Sequence, residues 1–167
     1  PLRSCRRRPV CLADGLHGLA PAAGDQVVIA GIGEAGIAAI CAGWTPPVGL
    51  RLVCCPSGRP GDLRLRLVEG GWRLVGDELL TVGGRWYRPF ASEWAGTRAT
   101  VTVQPAAVLI GPGLLRPRHP LLAAWAADLR RRHAQARRAS DGPLRRLLQA
   151  VDFLVPVSDA DESQPPA

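Results

Sequence analysis

The sequence predicts an α/β fold: a partial sheet of parallel strands, a closing antiparallel hairpin, and a short helical region after it. Three observations lead there. Two short apolar runs, Asp25–Gly31 and Gly49–Pro56, are each followed by a stretch of helical character. A strand–helix–strand–helix order implies right-handed crossovers and parallel pairing. Two longer extended runs, Trp72–Val82 and Arg85–Trp94, are then joined by Gly83-Gly84, a hairpin signal.

Each element has a local reason. Arg6–Gly15 reads as a basic lead-in, a short strand at Val10–Ala13 and an Asp-Gly turn. The run Val27-Val28-Ile29-Ala30 is apolar without alternation, as in a strand buried on both faces. Glu34 to Ala42 follows as a helix, with the acidic Glu34 at its positive end, and Pro46-Pro47 breaks the chain. The second run stops at Pro56-Ser57-Gly58. A helix from Asp62 to Glu69 then ends at Gly70-Gly71.

Beyond Gly111-Pro112-Gly113, His119 to Ala139 reads as a helix with an apolar stripe of Leu121, Leu122, Trp125 and Leu129. Arg130, Arg131, Arg132, Arg137 and Arg138 make it strongly basic, while Trp125 shares the apolar stripe and is expected in the core. A second helix spans Pro143 to about Phe153. The expected organisation is a sheet domain over 1–110, a helical region over 111–155 and a disordered acidic, proline-rich tail over 156–167.

Composition narrows the function classes. All 21 basic residues are Arg, and the net charge of +7 suits a polyanionic partner such as RNA. No apolar stretch approaches the roughly 20 residues that span a bilayer, so a cytoplasmic protein without membrane contact is expected. The five cysteines form no CxxC pair and the three histidines are scattered. No metal site is therefore expected, and the thiols read as structural. The chain has no methionine and starts at Pro1, from which an amino-terminally incomplete chain is expected.

Three ordered segments carry a family resemblance: Ala13-Asp14-Gly15-Leu16, Val28-Ile29-Ala30-Gly31-Ile32-Gly33 and Leu52-Val53-Cys54-Cys55-Pro56-Ser57. They resemble the GDGL, IAGMGG and LQPN motifs of the bacterial tRNA (adenine(22)-N1)-methyltransferases. Gly71-Trp72, Asp77-Glu78, Gly84-Arg85-Trp86-Tyr87 and Gly111-Pro112 extend the likeness, so that it covers about Val10 to Ala139. Glu34 stands where the family has its last Gly, and Cys55 and Ser57 replace Gln and Asn.

The resemblance implies a Rossmann-like class I methyltransferase sheet of strand order 3-2-1-4-5-7-6, with strands 1 and 2 lying before Pro1. It implies S-adenosyl-L-methionine as cofactor, held by Asp14, Gly15, Leu16, Ala30 and Gly31, with Asp14 accepting a hydrogen bond from the cofactor adenine. Gly33, Pro56, Ser57, Arg130 and Arg131 would serve the tRNA. Ligands of open α/β sheets sit at the carboxyl ends of the strands, so Asp14, Ala30-Gly31 and Pro56-Ser57 are expected in one crevice. Methyl transfer to a ring nitrogen needs positioning more than acid–base chemistry, and no catalytic residue is assigned. Asp77 and Glu78, adjacent in a strand, point to opposite faces and read as a solvated pair. The alternative is a catalytically inactive RNA-binding remnant of the same fold.

Overall fold

The computed structural model describes residues 15–16, 18–58, 60–96, 104–115, 118–135 and 142–155. The expected strand at Val10–Ala13, the end of the basic helix and the tail lie outside the described residues. Four strands form one sheet: β1 (Gln26–Ala30), β2 (Arg51–Cys55), β3 (Trp72–Asp77) and β6 (Phe90–Trp94). Their order is β1-β2-β6-β3. β1 and β2 are parallel, and β6 runs antiparallel to both β2 and β3. This is the segment 4-5-7-6 of the order that the resemblance implies, in a mixed α/β, Rossmann-like sheet.

The two long runs are each divided. Their tips form a separate ribbon of β4 (Leu80–Val82) and β5 (Arg85–Tyr87). Its turn, Gly83-Gly84, has φ of 55° and 72°, the left-handed pair that a tight hairpin turn demands. Their bases, β3 and β6, pair in the main sheet with an irregularity between Leu74 and Gly76.

Helices α1 (Glu34–Cys41) and α2 (Pro60–Glu69) are the crossovers. Both cover one sheet face. Ile37 of α1 and Leu63 and Leu67 of α2 are buried against Leu52, Cys54, Trp72 and Phe90. On α2 the i, i+4 spacing of Leu63 and Leu67 puts both on the packed face. Burial pushes the thiols of Cys54 and Cys41 up to about 12 and about 11. Both are free and act as small apolar groups.

A second core joins α3 (Pro105–Ile110), α4 (Pro112–Leu115), α5 (Leu122–Gln135) and α6 (Gly142–Leu154). It is built from Ile110, Leu114, Leu122, Trp125, Leu147 and Val151, with Leu79 from the sheet side. α3 and α4 escape a periodicity reading because each is shorter than two turns. Trp125 is core, as its stripe implies. No helix among the described residues is long and apolar enough to cross a membrane.

β1 is an edge strand among the described residues. Its residues alternate between partial burial and exposure, and Val28 is 61% exposed. The even apolar run thus shows one covered face here, because α1 and α2 pack only on the side of Val27 and Ile29.

Candidate functional site

The carboxyl ends of β1 and β2 meet in a built corner. Gly31 N–H donates to Cys55 O at 3.2 Å, and Ser57 N–H donates to Ile32 O at 2.9 Å. The two strand-end loops are therefore stitched together, which places Ala30-Gly31 beside Pro56-Ser57 as expected. Gly31 has φ of 81°, and a Cβ added there would meet no atom within 4 Å. Gly33 likewise faces open space. Positive φ explains the glycine at 31 locally, and the open side leaves room for a ligand to reach the backbone. Pro56 is buried and fixes the loop, while Ser57 is exposed.

Glu34 begins α1 at this corner, and its carboxylate lies close against Gly58, where a side chain would collide with it. Gly33, at the N-cap, makes no side-chain capping bond. The first-turn carboxylate supplies favourable charge at that end of the helix instead. Glu34, where the resemblance has a glycine, thus puts a negative group into the corner, against Gly58.

Gly15 and Leu16 stand elsewhere. A Cβ on Gly15 would lie 3.4 Å from the side chain of Ile40, and Leu16 is buried and shares a small cavity with Ile40 and Trp44. These residues close α1 at its carboxyl end. A helix of 8 residues is about 12 Å long, so Gly15 and Leu16 sit a helix length from Gly31. The structure joins two of the three expected segments and sets Gly15 and Leu16, the described residues of the third, at the other end of α1. Asp14 lies outside the described residues.

The basic helix is also differentiated. Arg130 donates to Asp152 at 2.9 Å and to the carbonyls of Val151 and Val155 at 3.3 and 2.6 Å. It therefore closes the carboxyl end of α6. Arg131 and Arg132 pair along their own helix with Asp128 and are 67% and 64% exposed. Trp86 Nε1–H donates to Asp128 at 3.0 Å, tying α5 to the β4–β5 ribbon.

Asp77 and Glu78 do point to opposite sides, but only Glu78 is solvated. Asp77 forms an ion pair with Arg64 at 2.7 Å, with side-chain exposures of 2% and 0%, and its other oxygen accepts Gly113 N–H at 2.9 Å. The expectation of a solvated pair fails for Asp77 because Arg64 of α2 reaches the end of β3. No local signal marks this, since Arg64 and the exposed Arg66 both stand between leucines in Leu63–Leu67. Glu78 Oε1 accepts Leu79 N–H at 3.1 Å and lies 2.7 Å from His119 Nε2. These two bonds hold its carboxyl below the usual range. Among the described residues no group of three or more His, Cys, Asp or Glu side chains is arranged to hold a metal.

No protein-family model and no curated protein matches the chain. Solved structures do. The TrmK m1A22 tRNA methyltransferase of B. subtilis superposes with TM-score 0.59 at 24% identity, over 85% of this chain and 65% of that one. A Streptococcus pneumoniae protein in complex with S-adenosyl-L-methionine gives TM-score 0.62 at 23% identity, over 87% and 67%. The M. capricolum TrmK in complex with S-adenosyl-homocysteine gives 0.52 at 12% identity, over 86% and 64%. The chain thus shares their fold and spans roughly three fifths to two thirds of their length.

Proposed function

We propose that this chain is the greater part of an S-adenosyl-L-methionine-dependent methyltransferase of the tRNA m1A22 family, acting on adenine N1 of tRNA. The observation that carries the reading is the stitched corner of Gly31-Ile32 and Pro56-Ser57 at the carboxyl end of a β1-β2-β6-β3 sheet. The same fold holds S-adenosyl-L-methionine in one of the solved structures. When bound, the cofactor supplies a methyl group already activated on a positively charged sulfur.

The corner fits the edge of such a ligand at Gly31, whose backbone is open on the side a Cβ would occupy. Ala30 and Gly31 would hold the cofactor edge. Gly33, Pro56 and Ser57 would line the approach of the acceptor base, and the Ser57 hydroxyl is free to orient it. Arg131 would meet tRNA phosphate, as its exposed fork suits. Arg130 is already engaged by α6, so its contribution is to place the helix that carries Arg131. The cofactor roles that the resemblance assigns to Asp14, Gly15 and Leu16 draw no support from where Gly15 and Leu16 stand, and the proposed seat is confined to Ala30 and Gly31.

The test is transfer of a labelled methyl group from S-adenosyl-L-methionine to unmodified tRNA transcripts, followed by mapping of the modified base. Label at adenine N1 is expected. Label on another atom would overturn the reading. The distance of Gly15 and Leu16 from the corner favours a second reading, an RNA-binding remnant, which retention of tRNA without any transfer would establish.

A further inference from the structure

The contacts that close the corner run outward along its two loops. Gly31 N–H bonds to Cys55 O, and Ser57 N–H bonds to Ile32 O. Further out, the Glu34 carboxylate lies against Gly58, so close that a Cβ there would collide with it. Gly33 comes between, and a Cβ added to it would meet no atom within 4 Å. Chain order therefore sets Ala30-Gly31 at one end of the corner and the Glu34 carboxylate at the other, with Gly33 and Ser57 between them.

This carboxylate is unmatched where comparable ones are not. Asp62, Asp77, Glu93, Asp128 and Asp152 each pair with an arginine, and Glu78 meets His119. Asp25 accepts Ala22 N–H. Glu34 has no hydrogen-bond or ion-pair partner among the described residues, although it is partly buried. Charge at the amino end of α1 accounts for an acid in the first turn. A side chain standing in solvent would serve that role equally, whereas this one reaches across to the loop of the neighbouring strand. Partial burial of an unpaired carboxylate costs free energy, which a donor arriving with a ligand would offset.

We infer that Glu34 is the specificity-determining residue for the acceptor base, its carboxylate accepting an N–H of the exocyclic amino group of adenine. The inference rests on the reading of Gly33, Pro56 and Ser57 as the approach of that base. An ionised carboxylate only accepts hydrogen bonds, so it takes an amino group at the ring edge and repels an exocyclic oxygen in the same place. The amino hydrogen turned away from N1 meets Glu34, which leaves the N1 lone pair for the cofactor edge at Ala30-Gly31. During transfer that lone pair forms the new bond to the methyl carbon, and the pair of the breaking carbon–sulfur bond stays on sulfur. The positive charge passes to the ring, and no proton moves. The carboxylate holds the charged ring more strongly than the neutral one, so Glu34 lowers the barrier as well as selecting the base.

The experiment is a titration of 15N-labelled protein, residues 1–167, with adenosine, with inosine, which carries an oxygen in place of the amino group, and with 1-methyladenosine, which carries the product's charge. Amide shifts are expected at Gly31, Gly33 and Ser57. Adenosine should bind about tenfold more tightly than inosine, the scale of one hydrogen bond to a charged group, and 1-methyladenosine more tightly again. Glu34→Gln keeps the size of the side chain, but its amide donates as well as accepts, so both preferences should collapse. Absence of shifts at those amides, or unchanged preferences in Glu34→Gln, would overturn the proposal. A lower melting temperature with both preferences intact would leave Glu34 as a helix-end charge and overturn it equally. In the methylation assay, Glu34→Gln should lower kcat with cofactor affinity unchanged. Wild-type kcat in that variant would remove Glu34 from the site and leave the methyltransferase reading standing. If the wild type transfers nothing, that counts against the function, and the nucleoside titration still decides the role of Glu34.

Discussion

Arg64 of α2 and Asp77 at the end of β3 form an ion pair of 2.7 Å with almost no exposure on either side. The pair is close in distance but poorly aligned. Arg64 Nε and Nη2 and Asp77 Oδ1 make no hydrogen bond of good geometry, and Arg64 Nη1 reaches Ile110 O only at 3.4 Å. Burial pushes the Arg64 guanidinium below its ordinary range, with Asp77 opposing that shift. Removing one partner strands the other charge. Arg64→Met is expected to cost about 3 to 5 kcal/mol, read by chemical denaturation. Loss of less than about 1 kcal/mol would mean that water already reaches the pair.

Arg88 gives the opposite expectation. It lies 4.7 Å over the Trp125 ring, has an unpartnered buried Nη1, and is pushed down to about 9 by burial and by Arg64. The folded pKa is below the unfolded one, so above about pH 9 the unfolded chain binds more protons and stability from this group rises with pH. Arg88→Met should raise stability on the order of 1 kcal/mol at neutral pH, after the loss of a cation–π contact worth roughly 0.5 to 1 kcal/mol. The variant should also lack the alkaline rise. A lower melting temperature in Arg88→Met would show that the guanidinium has a partner which offsets its burial.

The arginines of α5 should separate into two kinds. Arg131 and Arg132 replaced by Gln should leave stability within about 0.5 kcal/mol, since exposed pairs contribute little. RNA binding should lose about two units of log–log salt slope. Arg130→Gln should instead weaken the α5–α6 packing, because three acceptors lose their donor. Thermal melting alongside salt-dependent binding would tell these apart, and an unchanged slope in the double variant would remove α5 from the RNA surface.

Hydrogen exchange along β1 should alternate. Arg51 N–H bonds to Asp25 O, and Gly31 N–H bonds to Cys55 O. With parallel pairing in between, the amides of Val27 and Ile29 face β2, and those of Val28 and Ala30 face outward. Val28 and Ala30 are expected to exchange at least tenfold faster than Val27 and Ile29, the spread that local opening allows. Equal protection of Val28 in a proven monomer would show another segment paired along this edge.

His119 ties the end of the sheet to the start of α5. Its Nδ1 accepts Leu121 N–H near the first turn of the helix, so His119→Ala is expected to cost about 1 kcal/mol, the scale of a lost cap. Glu78 has a lowered folded pKa, so its contribution is present above its unfolded value and is lost as pH falls through the folded one. A stability profile of wild type against Glu78→Gln should therefore converge only in acid.

Much of this fold was legible along the chain because it is written in short-range signals. Apolar runs ending in Gly31 and Pro56, Gly83-Gly84, and Leu63 with Leu67 each act within a few residues, and they place β1, β2, the hairpin and α2. The pairing of loops at Gly31 and Ser57 follows from parallel register, which strand order already implies. What only the tertiary structure decided is how groups distant in sequence share burial. Adjacent Asp77 and Glu78 look alike in sequence, yet Arg64 buries one and His119 steers the other. Arg130 and Arg131 are neighbours in one basic run, yet only Arg130 meets the open carbonyls of α6. Charge and polarity are properties of residue type, whereas desolvation and partner geometry depend on which elements pack together, and the chain carries no local record of that.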